Sequence, residues 1–161
     1  MTNVFLDAEY FFTCSMREGM IPNYKYVIDM FKQIDNNVIF YAYFVGSKEK
    51  KKSVVSFLIR NGINYVNVLD LNHVSKTQVV GSTIAIDVMK TIDETSTFAF
   101  LTGDDYMISI AEHLVKYNQK PHIYYFPVIL SKELEKINCK FIRLPNSYFM
   151  HRDKDKGGNG N

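Results

Sequence analysis

The sequence predicts a three-layer α/β/α sandwich built on a mainly parallel sheet of five or six strands. Apolar runs of strand length alternate with stretches whose apolar residues recur at helical spacing. The connections between these runs are too long for hairpins and long enough to hold the crossover helices that parallel strands need. We expect a single domain over residues 1–150, followed by a polar tail, 151–161, that is predicted to be disordered.

Composition and charge narrow the class of protein. The 161 residues are 47% hydrophobic, enough for one sizeable core, and the net charge of +2 excludes a general basic field for nucleic acid. Cys14 and Cys139 fit no metal or redox spacing and are expected to be reduced thiols. The chain shows no signal-peptide pattern at its start and no apolar run of roughly 20 residues. We therefore predict a cytoplasmic protein that does not enter a membrane.

Strands and helices follow one another in the order expected for this class. The predicted strands are 3–7, 38–45, 63–69, 97–101, 121–126 and 139–144. The run 38–45 is nearly all apolar, which is typical of a central strand covered on both faces. Helices are predicted after the N-cap Asn23, before Asn61-Gly62, after Gly81-Ser82-Thr83, from Asp105 to about Tyr117, and within 127–137. Residues 13–22 are predicted to form a loop, and 70–80 a polar connection.

Two of the predicted strands end in carboxylates. The first strand meets Asp7, with Glu9 close behind, and the strand 97–101 leads into Asp104 and Asp105. Central strands of an open α/β sheet bring their carboxyl ends together, about 4.8 Å apart for direct neighbours. Taken singly, Asp7 suits a strand-end turn and Asp105 suits a helix N-cap. Their joint occurrence at two strand ends favours a functional cluster.

Carboxylates packed so closely are stable only with a cation among them. Like charges raise one another's pKa and destabilise the fold when nothing neutralises them. Ligands that are all oxygen suit Mg²⁺ or Mn²⁺, which keep several waters and complete their shell with substrate phosphate. We therefore predict that Asp7, Asp104 and Asp105 bind Mg²⁺ or Mn²⁺ in a site suited to phosphoryl chemistry.

Three short motifs resemble the NYN domain, a branch of the PIN-like ribonuclease superfamily. They are Val4-Phe-Leu-Asp7-Ala-Glu9, Ile84-Ala-Ile-Asp87-Val-Met89 and Phe100-Leu-Thr-Gly-Asp104-Asp-Tyr106. The separation of 17 residues between Asp87 and Asp104 also fits, and the resemblance covers about residues 3–127. It implies a PIN-like, Rossmann-type sheet in the order 3-2-1-4-5, a divalent metal, and endonucleolytic cleavage of RNA.

The resemblance carries roles onto the matched positions. Asp7 and Asp104 stand where the family has metal ligands, and Asp87 stands at its helical Asp. Thr102 replaces the Ser of the third motif. Asp105 stands one residue before the position of the motif's last Asp, and it can take that role only if the chain shifts locally. These four aspartates, Asp7, Asp87, Asp104 and Asp105, are the predicted catalytic residues, and the set is enough for one metal ion.

Three positions depart from the family pattern. Tyr10 occupies the usual Asn of the first motif, Gly81 falls at the Asp of the second, and Tyr106 falls at the last Asp of the third. A chain that has lost these groups is also compatible with a weakened or inactive module that binds RNA or a protein partner. The departures therefore keep a second hypothesis open beside the nuclease.

Substrate contacts are predicted around the acidic cluster, on Tyr10, Lys76, Ser82 and Thr102. Tyr10 and the aromatic residues after it are candidates for stacking on unpaired bases, although most aromatic residues must belong to the core. Lys76 and Ser82 are candidates for holding a phosphate or a water, and Ser82 equally suits a helix N-cap. The basic run 48–52 is a further candidate for phosphate contact, with a solvated helix start as the alternative.

The first hypothesis is a metal-dependent endoribonuclease in which clustered aspartates hold a metal that activates water. The second is the catalytically weakened or inactive NYN-like module. A third, a haloacid-dehalogenase-like phosphatase with Asp7 as nucleophile, is disfavoured because Glu9 stands where that family has its second Asp. RNA, single-stranded or structured, is the expected partner, and the sequence leaves a monomer and a homodimer equally open.

Overall fold

The computed structural model describes residues 1–46 and 51–152. Its strands are β1 (Thr2–Asp7), β2 (Ile21–Pro22), β3 (Val38–Val45), β4 (Asn64–Val68), β5 (Thr97–Leu101), β6 (His122–Tyr125), β7 (Lys140–Arg143) and β8 (Phe149–Met150). Its α-helices are α1 (Ala8–Arg17), α2 (Tyr24–Ile34), α3 (Lys52–Arg60), α4 (Lys76–Thr91) and α5 (Met107–Lys116). Two single 3₁₀ turns, Leu134–Lys136 and Asn146–Tyr148, complete the described elements.

Six strands form one parallel sheet in the order β4-β3-β1-β5-β6-β7. The short strands β2 and β8 pair with each other in a separate antiparallel ribbon. The predicted α/β class is therefore confirmed. Counted within the large sheet alone, the first five strands follow the order 3-2-1-4-5, and β7 extends the sheet by a sixth strand.

β1 occupies the centre of the sheet, and all six of its residues are buried. Its alternating side chains point into two separate cores, one on each face. Phe5 stacks against aromatic rings of both neighbouring strands, with ring centroids 5.1 Å from Phe100 and 5.5 Å from Tyr41. Leu6 packs on the opposite face with α1 and α2. A strand held from both sides and on both faces is a rigid support for the residue at its end, Asp7.

The chain enters α1 directly from β1, without an intervening loop. Asp7 is both the last residue of β1 and the N-cap of α1, which continues to Arg17. The predicted loop over 13–22 is therefore wrong in its first half. Burial explains the difference, because Phe11 and Cys14 lie on the inner face of the helix and are fully enclosed. Thr13 and Arg17 lie on the outer face of this helix, and the buried Ser15 donates its hydroxyl to the Phe12 carbonyl.

α4 begins earlier than predicted. It starts at Lys76, with Ser75 as N-cap, so the predicted start at Gly81-Ser82-Thr83 lies inside the helix. The Ser82 hydroxyl donates to the carbonyl of Gln78, 2.9 Å away, and therefore does not cap a helix. The helix predicted within 127–137 is limited to the 3₁₀ turn Leu134–Lys136.

Replacing Ser75 by alanine is expected to lower the free energy of unfolding by about 1 kcal/mol, because the Gln78 amide would lose its acceptor. Urea denaturation monitored by circular dichroism measures the change. Ser82→Ala is the matched control, since it removes a hydroxyl from the same helix without removing a cap. An equal loss for both variants would contradict the assignment of Ser75 as the N-cap.

Several predictions fall partly beyond the described residues. Residues 48–50 of the basic run and 153–161 of the predicted tail lie outside them. Cys14 and Cys139 are both free, the first buried and the second half-buried. Within the ranges 1–46 and 51–152, no helix has the length and apolar character needed to cross a membrane.

Candidate functional site

The carboxyl ends of β1 and β5 lie side by side. Parallel pairing aligns Leu6 with Leu101, so Asp7 and Thr102 follow at the same edge of the sheet. Asp104 comes after the turn at Gly103, and its negative charge acts on the carboxyl group of Asp7. The fold thus brings together the ends of the two strands that the sequence singled out.

Asp7 is buried and fully engaged. Its side chain is 1% exposed. One carboxylate oxygen, Oδ1, accepts the backbone N–H of Tyr10 at 3.0 Å, and Oδ2 accepts the hydroxyl of Tyr106 at 2.8 Å. Burial raises the pKa of Asp7 to about 7; the hydrogen bonds from Tyr10 and Tyr106 oppose the shift, and the charges of Asp104 and Glu9 add to it. At neutral pH this group therefore holds a proton for part of the time.

Tyr106 and Gly81, two of the three departures from the family pattern, are packed directly against each other. A Cβ placed on Gly81 would lie 2.5 Å from Cγ and 2.8 Å from Cβ of Tyr106. Real Cβ atoms do not approach other atoms so closely, so only glycine fits here while Tyr106 keeps its position. α4 and the start of α5 thus approach each other at two positions where the family pattern has carboxylates.

Asp104 is half-buried, and the positive charge that acts on it belongs to Arg17, which was not predicted to be a site residue. Burial raises the pKa of Asp104, the neighbouring Asp105 raises it further, and Arg17 opposes the shift. Asp105 itself is exposed, and α5 begins without a side-chain cap, so the predicted capping by Asp105 is not observed. Arg17 escaped notice because residues 13–22 were expected to be a loop, whereas α1 carries Arg17 in its last turn.

Glu9 and Asp87 are held by other partners. Glu9 accepts hydrogen bonds from the Lys51 ammonium at 2.8 Å and from the Val45 amide at 3.2 Å. Asp87 accepts the Tyr43 hydroxyl at 3.0 Å and pairs with Lys90 at 3.4 Å. It lies six residues beyond Gly81, about 9 Å further along α4. These contacts of Asp87 connect α4 to β3, and neither of them joins Asp87 to Asp7 or Asp104.

The predicted substrate contacts are dispersed. Tyr10 is 2% exposed; its hydroxyl donates to the Ile129 carbonyl at 2.7 Å and accepts the Phe126 amide at 2.9 Å. Thr102 is fully buried and accepts the Asp104 amide. The predicted contacts of Tyr10 and Thr102 with substrate are not supported, because both side chains are enclosed by protein. Ser82 and Lys76 are exposed on α4.

A divalent cation does not fit Asp7 as it stands. Mg²⁺ keeps several of its waters, but Asp7 is closed to solvent and both of its oxygens already accept hydrogen bonds. Within residues 1–46 and 51–152, no group of three or more His, Cys, Asp or Glu side chains is arranged to hold a metal. The phenol of Tyr106 supplies the donor to Asp7 where the family pattern places a further carboxylate.

The fold and the strand-end acidic residues define a Rossmann-type α/β protein related to the PIN-like nucleases. A family model for the NYN domain matches residues 1–145, and the chain belongs to this family. The predicted family resemblance is thus confirmed over nearly the whole described region. No curated protein matches the chain.

A solved structure supports the fold. The chain is similar to the crystal structure of a protein of unknown function from Vibrio parahaemolyticus, with a TM-score of 0.75 and 17% identity. The match covers 92% of this chain and 96% of the other. At that identity the likeness establishes the common architecture alone.

Proposed function

We propose that this protein is an NYN module that binds RNA and does not hydrolyse it through a metal-activated water. The observation that carries the proposal is the hydrogen bond from the Tyr106 hydroxyl to Asp7 Oδ2, 2.8 Å long. It engages an oxygen of the carboxylate at the end of the central strand β1. RNA is the ligand that membership of the family favours.

The close approach of α4 to Tyr106 strengthens this proposal. Carboxylates at positions 81 and 106 together would not fit this backbone, because even their two Cβ atoms would be 2.8 Å apart. The backbone, as well as the side chains, has therefore departed from an arrangement with a cation between these positions. Asp7 contributes instead to the architecture, as the N-cap of α1 and the acceptor for Tyr106.

The metal-dependent endoribonuclease predicted from the sequence is the second candidate. It is favoured by one observation: Asp104 lies close enough to raise the pKa of Asp7, and it is only half-buried. Mg²⁺ or Mn²⁺ would be the cofactor of that enzyme, which would need Tyr106 to move away from Asp7. Its cytoplasmic location, like that of the RNA-binding module, stays a prediction.

One experiment separates the two candidates. A fluorescently labelled single-stranded RNA is incubated with the full chain in Mn²⁺ and in EDTA, and both binding and cleavage are followed. We expect binding that is unchanged by EDTA and no cleavage in Mn²⁺. Asp104→Asn is the matched control and is expected to leave binding intact. Cleavage that requires Mn²⁺ and disappears with Asp104→Asn would instead establish the endoribonuclease, and absence of RNA binding in every condition would overturn the proposal.

A further inference from the structure

A large apolar groove opens beside Asp7, on the side of the sheet that carries α1. It has a volume of about 800 Å³ and is formed where α1, α3 and the starts of α2 and α4 surround the end of β3. We define it by six of its lining residues: Phe12, Tyr24, Phe44, Lys51, Phe57 and Lys76. A volume of this size is typical of sites for small organic molecules, and it is ample for a nucleotide.

Two aromatic rings face the groove without a ring partner. Phe12 is 47% exposed, although it belongs to a helix whose other aromatic residues are enclosed. Neither Phe12 nor Phe57 makes a ring contact with another residue in the described part of the chain. Leaving the Phe12 ring half in water costs free energy that burial would recover, and the partly buried Phe57 lines the same groove, so together they form a surface suited to a flat ligand.

The groove also carries an excess of positive charge. Three lysines and one glutamate line it. Lys51 pairs with Glu9, and its ammonium lies 5.3 Å from the centre of the Phe44 ring. Lys25 pairs with Asp29 on the exposed face of α2. The cation left at the edge of the groove is Lys76, which makes no hydrogen bond or ion pair with any residue that the structure describes.

Lys76 lies at the amino end of α4, where its positive charge lowers the stability of the helix. It is the first residue of α4, and the amino end of a helix carries a partial positive charge that repels cations. Exposed backbone N–H groups and the lysine together form a local positive field at this end of the helix. An anion placed there would interact favourably with both.

We propose that this groove holds one unpaired base of a single-stranded RNA, stacked on Phe12, with an adjoining phosphate at Lys76. The combination of exposed aromatic faces with cations at the rim is the chemistry of sequence-tolerant single-strand sites. An apolar peptide would use the rings and leave Lys76 unexplained. The inference rests on the proposed RNA-binding function and adds where the RNA is held. Base stacking does not involve Asp7 or Asp104, so this contact works without a metal.

The test measures the affinity of the full chain for a fluorescein-labelled oligouridine by fluorescence anisotropy. Phe12→Leu keeps the side chain apolar and removes the stacking face. We expect it to weaken binding roughly 5- to 150-fold, the effect of losing one stacked base. Tyr117→Leu is the matched control, because Tyr117 is 58% exposed and follows α5, which packs on the other face of the sheet. It is expected to leave the affinity unchanged.

A second variant tests the phosphate contact. Lys76→Gln is expected to reduce the slope of log affinity against log salt concentration by about 0.7, as for one phosphate contact on a single strand. Lys116→Gln, at the far end of α5, removes the same charge elsewhere and should leave the slope unchanged. Both positions are exposed, so neither change is expected to unfold the protein.

The outcomes distinguish this inference from the function on which it rests. RNA binding that survives Phe12→Leu, Phe57→Leu and Lys76→Gln unchanged would leave the RNA-binding function standing and overturn the groove as its site. Sedimentation of the same variants gives a second contrary result. If a substitution in the groove abolishes self-association of the protein and leaves its RNA affinity unchanged, the groove binds a second copy of the chain, and the inference is overturned. A wild-type protein with no affinity for the oligouridine would overturn both.

Discussion

Replacing Asp7 by asparagine is expected to make the protein more stable at pH 8. Burial raises the folded pKa of Asp7 to about 7, against 3.8 for the free side chain. The folded protein therefore keeps a proton that the unfolded chain releases, and the free energy of unfolding falls as the pH rises from about 4 to about 7. The total loss from this group is roughly 4 kcal/mol, a large fraction of the stability of an ordinary domain.

Asparagine removes the charge and keeps the N-cap, while its amide Nδ2 would donate to the Tyr106 hydroxyl in place of accepting from it. It serves as an N-cap about as well as aspartate, so the Tyr10 amide keeps its acceptor. The difference in unfolding free energy between Asp7→Asn and the wild type should therefore grow with pH, reaching its full value above pH 7. Urea denaturation at several pH values measures it.

Asp35→Asn provides a control of opposite sign. The Thr2 hydroxyl and then the Asn37 amide donate to Asp35 and lower its pKa, so its contribution is present above the unfolded pKa and lost as the pH falls. This variant should lose stability relative to the wild type at neutral pH. If Asp7→Asn behaved in the same way, Asp7 would be stabilised as an anion, and the account of its site would be wrong.

Replacing Gly81 by alanine is expected to destabilise the protein by roughly 2 kcal/mol. The added Cβ would overlap Cγ and Cβ of Tyr106, at 2.5 and 2.8 Å. Overpacking of this kind costs about 1–3 kcal/mol or more, and the better helix propensity of alanine returns up to about 1 kcal/mol. Denaturation of Gly81→Ala measures the loss, with exposed Ser82→Ala as the control for propensity alone.

A double-mutant cycle identifies the cause of that loss. Tyr106→Gly removes every overlapping atom of the Tyr106 side chain, so Gly81→Ala should cost nothing further when combined with it. Tyr106→Ala leaves its Cβ in place and should give only partial relief. If the costs of Gly81→Ala and Tyr106→Gly simply add, the close contact between α4 and Tyr106 is not what requires glycine at position 81.

The sheet was predictable because its strands carry a strong local signal. Runs such as 38–45 are apolar almost throughout, and polar segments separate them from the helices between. The ends of β1 and β5 could be assigned for the same reason, and Asp7 and Asp104 were found as the groups that follow them. Pairing β1 directly with β5 then brought the two strand ends together, as expected for a central strand in this class.

The helix boundaries were harder because the same residue types serve two purposes. Gly81 resembles a residue that precedes a helix, but it lies inside α4, where it allows the helix to approach Tyr106 closely. Ser82 resembles an N-cap, but its hydroxyl returns to a carbonyl of the preceding turn. For Gly81 a local pattern does not distinguish these uses, since the deciding partner, Tyr106, is distant in sequence.

The hydrogen bond between Tyr106 and Asp7 lay beyond sequence reasoning for a similar reason. Its partners are separated by 99 positions in the chain. The sequence marked Tyr106 as a departure from the family pattern, but gave no sign that its hydroxyl would reach Asp7. Nor did it indicate that Phe12 would stay exposed beside a groove while Tyr10 and Phe11 are enclosed.

The central position of β1 has a consequence for synthesis on the ribosome. β1 is made first and can pair with β3 once that strand emerges, but its other neighbour, β5, comes much later in the chain. At translation rates of roughly 5–20 residues per second, the second edge of β1 stays open for several seconds. Throughout that interval Tyr106 has not yet been made or docked, so the nascent chain carries Asp7 hydrated and negatively charged. At neutral pH, docking of the late segment is thus accompanied by partial uptake of a proton.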